Sequence, residues 1–553
     1  MANQFDSIFV RKPKRNKFNL SFQNKLTCRF GELVPFLVQD VIPGDRFKVG
    51  NSHVIRLQPT VAPVMQNVMI YKHYFFVPNR LLWDEWETFI TGGVSGAASP
   101  TWPAIYKRGI QSDGELISYF KPGSLSDFLG FPSPQTNGGV TGNVNIDFDI
   151  MPFLAYQLIY QEYYRDQNLV SEAIEFPATR DFLSSVNNPS DFSSLRSVCT
   201  LRRRAWKKDE FTSALPWPQR SPVGVTLPVN VDSTVSSVPP SNPLDGTPVS
   251  FPDVLLGHPD TVSVRFSHGS DGKGNLIADN SSGNPSNLRI DVSDQLKVTS
   301  SASLASISEL RRAFKVQEWL EAMATGGSRY VEQIRRIFGV RTSDGRMQRP
   351  IYLGGVSTPL VMEQTAQTSA TTSDSVQGNL SGNGASVSSD FVFKNRFEEH
   401  GYIIGIMSVI PRASYYQGVP QKYSRRNRYD FYWPQFAHIG EQPVTQGRLY
   451  FDFNAATVDS SNAKTFGYQP RYAEYRFNND EIHGEFRTSL RQWHMARHFD
   501  KAPTLNRSFV EVPSSVADNV MAVSDYLAAP FLCLINNNIL ASRLVSKYGT
   551  PHL

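Results

Sequence analysis

Two runs of β-branched and aromatic residues lie far apart in this chain and limit what it can fold into: VMIYKHYFFV at 68–77 and YIIGIMSVIP at 402–411. Side chains of that kind suit a pleated, packed surface, and turn formers such as Pro43-Gly44-Asp45 separate the runs. Leu26 to Val41, Arg448 to Phe453 and Glu481 to Leu490 read as further strands. Between these ends the apolar period changes to that of helices. Leu82, Trp86, Phe89 and Ile90 share one face before Gly92-Gly93, and a second helix is predicted from Pro152 to Gln167, opened by Asp149. Ser306-Ile-Ser-Glu309 is a capping-box pattern opening a helix with Ala313, Val316, Leu320 and Met323 on one stripe, ended by Gly326-Gly327. A following helix turns Val331, Ile334 and Phe338 inward and stops at Gly339. β-rich ends around a helical, loop-rich middle predict one antiparallel sandwich with greatly expanded connections.

Two segments depart from that pattern. Residues 213–300 are rich in Ser and Pro and contain no Glu, yet they carry many valines, so short surface strands in a large insertion are expected there. Gln364 to Ser389 contains no aromatic and no basic residue and reads as an exposed or flexible loop.

Charge is scarce, at 19% of residues, while aromatics reach 12%, a balance suited to burying surface against partners as well as inside the subunit. Residues 1–25 hold Arg11, Lys12, Lys14, Arg15, Lys17 and Lys25 against Asp6, which accounts for the whole chain's net +5 and leaves the remainder neutral. A basic arm on a neutral body fits a tail that meets a polyanion while the body meets protein. Cys28, Cys199 and Cys533 are widely spaced, with no CxxC, and read as reduced structural thiols of a chain made in the cytoplasm. The first residues lack the pattern of a secretory signal. No run approaches the eighteen apolar residues of a membrane span, the C-terminal apolar stretch from Pro530 to Leu540 being interrupted by Asn536, Asn537 and Asn538, so no membrane insertion is expected.

Catalytic signatures are missing: there is no GxSxG, Walker loop or GxGxxG, and no catalytic, cofactor-binding or metal-binding residue is assigned. His494 and His498 have the spacing of a helical zinc motif, but Met495 stands where the catalytic glutamate would be. Arg202-Arg-Arg204 with Lys207-Lys208, and Ser424-Arg-Arg-Asn-Arg428 before Tyr429, Phe431, Tyr432 and Trp433, combine guanidinium groups with rings. Single-stranded nucleic-acid sites and protein interfaces both use that vocabulary. The stretch GYQPRYAEYRFNNDEIHGEFR at 467–487 belongs to the same class, with acids that cancel its arginines. It is expected to be a subunit-contact and sheet-closing segment through Tyr472, Tyr475, Arg476 and Phe477. In an extended chain Tyr472, Glu474 and Arg476 would face one side, Ala473, Tyr475 and Phe477 the other, and Asn478-Asn479 would turn toward a last strand. Nucleic-acid contact is assigned instead to Arg11, Lys12, Lys14, Arg15 and Lys17, whose spacing can follow phosphates but presents no base-reading set.

Long blocks of the sequence resemble the major capsid proteins of gokushoviruses, small tailless single-stranded DNA phages of the microvirus family. The blocks are PFLVQDVIPGDRF (35–47), HYFFVPNRLLWDEWETFITGG (73–93), YQEYYRDQNL (160–169), ELRRAFKVQEWLEAMATGGSRYVEQI (309–334), IPRASYYQGVPQKYSRRNRYDFYWPQFAHIGEQPV (410–444) and FGYQPRYAEYRFNNDEIHGEF (466–486). The resemblance implies a mainly β fold, an eight-stranded antiparallel viral jelly roll with long helical and loop insertions, and a T=1 icosahedral shell of sixty copies around a circular single-stranded DNA genome. It also implies partners: an internal scaffolding protein, a DNA pilot protein, a small DNA-binding protein and a host surface receptor.

On this reading the chain divides into an interior basic arm (1–25), the first part of the jelly roll (26–93), a helix-containing insertion (94–210), an outward protrusion used in host attachment (211–303), a helical pair with a flexible loop (304–390), and the remaining strands with a contact segment (391–553). Sixty arms of +5 supply about 300 charges, few beside the phosphates of a genome of several thousand nucleotides, so other cations must contribute. Two other functions fit parts of the sequence. A secreted carbohydrate-binding β-protein should begin with a signal peptide, and a cytoplasmic single-strand-binding protein should have a basic body.

Overall fold

The computed structural model describes residues 15–94, 96–111, 115–134, 143–188, 191–220, 231–237, 263–268, 274–279, 296–302, 307–327, 329–372, 376–454, 461–523 and 529–547. Nine strands form one curled antiparallel sheet: β1 (Asn16–Asn19), β2 (Phe22–Cys28), β3 (Val34–Val41), β4 (Arg46–Thr60), β5 (Val68–Pro78), β6 (Ile351–Ala366), β7 (Leu380–Arg396), β8 (Gly401–Pro411) and β9 (Phe531–Arg543). Both β1 and β2 pair with β9, one with its last residues and the other with its first, so they act as one edge strand broken at Leu20-Ser21. Eight strand positions result, in the order β1/β2–β9–β4–β7–β6–β5–β8–β3. The curl comes from β6, whose residues 351–360 pair with β5 and whose residues 361–366 pair with β7.

Strands β5 and β8 owe their near-continuous apolarity to burial on both faces. Ile70, Tyr74 and Phe76 of β5, with Ile403, Met407 and Val409 of β8, enter a core shared with Phe36, Phe47, Ile55, Phe531 and Ile535. The alternate residues Phe75, Val77, Ile404 and Ile406 enter a second core with Trp83, Phe120, Phe153, Leu154 and Tyr156. The inserted helices are thus roofed onto the outer face of β5 and β8. Met151–Ile159 is helical and buried throughout, and it continues as a π turn over Tyr160–Tyr164. Tyr156 ties it to the sheet by donating to the Leu33 carbonyl at 2.8 Å and accepting from the Arg202 amide at 3.0 Å.

Several expectations are corrected. Leu26–Val41 is two strands, because Gly31, at φ 74°, bends the chain where its Cβ position would fall 2.5 Å from the Val512 carbonyl oxygen. The helix at Met151 has Ile150 as its cap; Asp149 accepts a hydrogen bond from the Met151 amide without being the cap itself. Half of Gln364–Ser389 is strand, residues 364–366 ending β6 and residues 380–389 opening β7. Its small residues are a packing requirement: a Cβ on Gly382 would lie 2.4 Å from Thr60 Oγ1, and one on Gly384 would lie 2.9 Å from the Met362 sulfur. Arg448–Phe453 and Glu481–Leu490 are turns and short 3-10 segments, not strands. Phe338 points outward, 73% exposed, although Gly339 does end its helix at φ 68°. Residues 16–25, assigned to the arm, lie largely in β1 and β2.

The chain divides into two compact units, Met1–Pro222 with Trp319–Leu553, and Val223–Glu318. Within the second unit, strands pair as two antiparallel ladders, 231–237 with 296–302 and 263–268 with 274–279. Phe211 and Leu215, placed by sequence at the start of the protrusion, are buried in the first unit. Ser306, the expected helix cap, lies outside the described residues. All three cysteines are free and buried, and Cys28 Sγ lies 3.9 Å from Cys533 Sγ.

The interior of the sheet holds a polar group of four side chains. Lys72, fully buried, donates to Asn51 Oδ1 at 2.5 Å and to His53 Nδ1 at 2.7 Å, and Asn51 donates to Asn537 Oδ1 at 3.1 Å. Burial, followed by the nearby Lys72 charge, lowers the His53 pKa to about 4; burial and then Arg204 bring His73 to about 4 as well. Both histidines are neutral in the fold and bind protons on unfolding at mildly acidic pH, so their contribution is complete above about 6.5 and is lost as pH falls through 4. The thermal midpoint should therefore drop as pH is lowered from 6.5 to 4, with a shallower drop in His53→Gln. Equal slopes for the two proteins in a pH series of melting curves would refute the assignment.

Candidate assembly interface

The stretch at 467–487 is built on a tight turn. Tyr472 adopts φ 62°, a left-handed conformation unusual for a side chain of its size, and the chain then winds through a 3-10 turn at Ala473–Tyr475. The alternation expected of an extended segment is therefore absent. Tyr472, at 2% exposure, is buried under the surface it was expected to present, while Tyr475 and Arg476 are exposed and Phe477 is half-buried. The ring of Tyr472 meets that of Tyr432 edge-on at 5.1 Å, and its hydroxyl donates to the Tyr429 carbonyl at 3.4 Å. Arg471 donates to the same carbonyl at 2.6 Å.

These contacts join two sequence clusters that sequence could only describe separately. The Tyr432 amide donates to Tyr475 Oη at 3.3 Å, and the Arg425 guanidinium lies 4.4 Å from the Tyr475 ring centroid and 5.4 Å from that of Phe431. Tyr423, Tyr429, Phe431, Tyr432, Trp433 and Tyr475 all stay about half exposed or more. Monomeric proteins seldom leave so many clustered rings in water, and rings with arginine are the usual anchors of protein contacts.

Three carboxylates in this region have partners within the subunit. Glu474 accepts from Gln442 at 2.7 Å, Asp480 pairs with Arg412 at 2.8 Å, and Glu481 pairs with Lys422 at 3.0 Å. Of the acids that balance the arginines in sequence, Glu474, Asp480 and Glu481 are thus bonded inside the subunit beside exposed rings and guanidinium groups. Glu441 is pushed up to about 7, first by burial and then by Glu321, with Arg476 opposing the shift.

An anchor that sequence did not single out holds the turn in place. Glu210 pairs with Arg448 and accepts from Asn479 at 2.6 Å, and the backbone carbonyl of Glu210 accepts from Gln469. Asn479 was read as a turn residue; its side chain instead fastens the segment to a buried ion pair. Beneath lies a separate core of Phe211, Tyr415, Val444, Leu449, Phe466 and Phe509.

Other sequence candidates fall elsewhere. Arg11, Lys12 and Lys14 lie outside the described residues. Arg15 is exposed and donates to the Gly44 carbonyl, and Lys17 is exposed on β1, paired with Ser542 of β9. Arg202 is buried and donates to Gln157 at 2.7 Å, whereas Arg203 donates to Ser514 at 3.0 Å, so that triplet is not a single basic surface. His494 and His498 stand on irregular chain, not a helix, and bond the Phe486 carbonyl and the Tyr416 hydroxyl. No metal-holding group of His, Cys, Asp or Glu occurs among the described residues.

Residues 8–553 match the phage capsid protein (F protein) family. The chain belongs to that family. Capsid protein VP1 of Chlamydia phage 1 is 33% identical, covering 100% of this chain and 98% of its own length. Capsid protein VP1 of Bdellovibrio phage phiMH2K is 35% identical over 90% of this chain and 88% of its own, and that of Spiroplasma virus 4 is 28% identical over 98% and 95%. The resemblance to gokushovirus capsid proteins is upheld, and the family is one of structural proteins, not enzymes. The antiparallel sheet with insertions agrees with a jelly-roll capsid fold. No described helix is long and apolar enough to cross a membrane.

Removing a ring and guanidinium at a hot spot costs about 2 kcal/mol or more per contact. Tyr475→Ala with Arg476→Ala should give folded subunits that fail to close into shells. Electron microscopy and sedimentation report the outcome; normal shells at normal yield would exclude the surface from assembly.

Proposed function

We propose that this capsid protein closes as sixty copies into a T=1 icosahedral shell around a circular single-stranded DNA genome, with the surface around Tyr475, Arg476 and Phe477 as a contact between subunits. The observation that carries this is the cluster of exposed rings and arginines whose neighbouring acids are already paired inside the subunit. Such a surface gains from burial against protein and loses little electrostatically, since few carboxylates have to be stripped of their partners. Electron microscopy of the purified chain or of lysate particles tests it directly: closed shells with the mass of sixty subunits are expected, and open sheets, filaments or monomers would refute it. Scaffolding, DNA pilot and small DNA-binding proteins are the further viral partners expected from the resemblance.

The second unit, Val223–Glu318, serves in this proposal as the outward projection for host attachment. The Ser- and Pro-rich composition of its residues 223–300, which contain no Glu, and its short paired strands suit an exposed module with its own fold. Replacing residues 223–302 by a short Gly/Ser linker should leave shells intact and lower adsorption to host cells at least tenfold; unchanged adsorption would end the attachment role.

Arg11, Lys12, Lys14, Arg15 and Lys17 form the weak, sequence-independent DNA contact, on the strength of their charge and spacing. Changing the five to Gln should lower packaged DNA or particle stability while leaving the melting curve of the body unchanged. Rapid proteolysis of this segment in intact full particles would place it outside and defeat the assignment.

A further inference from the structure

A cavity of about 930 Å³ opens beside the outer face of β5, between the π turn at Tyr160–Tyr164, the helix Tyr330–Phe338 and the chain around Arg204. Its wall is made of rings and guanidinium groups. Tyr71 and His73 come from β5, Tyr163 and Tyr164 from the π turn, and Tyr352 from β6. His73 and Tyr164 stack at 5.9 Å with 25° between their planes. The Arg204 guanidinium lies 4.0 Å from the Tyr71 centroid, and that of Arg349 lies 4.2 Å from the Tyr163 centroid.

The charge of this wall is one-sided. Arg204, Lys207, Arg335, Arg341 and Arg349 face only two carboxylates, Glu332 and Asp344. Both acids are occupied: Glu332 accepts from Arg329 and Gln167, and Asp344 pairs with Arg349 and accepts from the Tyr352 amide. Arg204 donates to Ser408 Oγ at 2.8 Å, and no ion pair joins Arg204, Arg335 or Arg341 to a carboxylate among the described residues. Burial lowers the Arg204 pKa, the sign of a cation short of counter-charge, and the tyrosines stay neutral because burial raises theirs.

Planar rings next to uncompensated guanidinium groups are what a phosphate carrying a base requires. The volume falls within the range of small-ligand sites, enough for one or two nucleotides. A peptide ligand would need both acids and apolar anchors, and the acids of the wall already have partners, so the surplus cations favour the more highly charged ligand. The +5 arm also leaves most of a genome's phosphates unmatched.

We propose that this cavity is a binding site for single-stranded DNA on the body of the subunit, with Tyr163, Tyr164 and Tyr352 as the ring surfaces for a base and Arg204, Arg335 and Arg341 as the phosphate contacts. The assignment rests on the shell reading for its biological ligand, but its test does not require a shell.

Purified, unassembled full-length subunits are titrated with a fluorescent oligothymidylate of about eight nucleotides over a range of salt, with arm residues Arg11, Lys12, Lys14, Arg15 and Lys17 changed to Gln in every protein compared. Arg335→Gln with Arg341→Gln removes two exposed cations that hold no part of the fold, and should lower the slope of log affinity against log salt by about 1.4. Tyr352→Leu should weaken binding about tenfold through lost stacking, with the salt slope unchanged. Unchanged affinity and slope in both variants, with native circular dichroism, would overturn the site. Displacement of the oligonucleotide by inorganic phosphate as readily as by thymidylate would reduce it to an anion site and overturn the base contact. Tighter binding of an acidic, aromatic peptide than of the oligonucleotide would reassign the cavity to a protein partner. Shell closure by the same variants, followed by microscopy, is a separate readout: its failure in the unmodified chain would refute the shell and leave the titration standing.

Discussion

Burial of β5 and β8 on both faces is the constraint from which the rest of the subunit follows. A strand covered on one side would ask only for a sandwich partner. Covering the other side as well requires the inserted helices to come back onto the sheet, and the core of Trp83, Phe120, Phe153 and Tyr156 does this. Once that roof is in place, the π turn and Arg204 stand over the half-buried Tyr71 and His73 of β5, which line the cavity. The expanded connections are therefore structural members, not ornaments on a jelly roll.

Electrostatics is arranged by pairing acids inward. Glu210 sits at the centre of one such arrangement, holding Arg448 and Asn479 and so fixing the turn that carries Tyr475. Breaking a buried pair of this kind costs about 3–5 kcal/mol, because the surviving charge is left without a partner. Surface pairs such as Arg412 with Asp480 contribute much less to stability, yet they remove carboxylates from the contact surface. The surface around Tyr475 thereby presents mostly rings and guanidinium groups.

Much of the sheet was legible because β5 and β8 are long, strongly β-prone and bounded by turns. β7 was not, because its LSGNGASVSSD segment carries a single β-branched residue, Val387, and no aromatic. Its residues are small since β4 and β6 press against it, a tertiary reason with no local trace. β9 was hidden by its Asn triplet, of which Asn537 is fully buried and bonded to Asn51 in the polar interior. In the contact surface, the rings could be read from sequence; their support could not. Nothing local marks Glu210 as the partner of Arg448, Gln469 and Asn479, and the left-handed turn at Tyr472 buries the very residue that an extended reading exposes.

The place of β9 in the sheet has a consequence for how the protein is made. It lies between the edge strands and β4, and the paired residues Asn51 and Asn537 are 486 positions apart. At about 5–20 residues per second, a ribosome takes roughly 25–100 s to travel that distance. For that interval β4 has no partner on one side, and the backbone N–H and C=O groups that β9 will pair are open to wrong neighbours in a crowded cell. Translation thus imposes a waiting time on every subunit, and a chain truncated before Phe531 never ends it. Only polypeptides that include Phe531–Arg543 acquire the complete sheet, so the order of synthesis itself keeps incomplete copies from posing as building blocks.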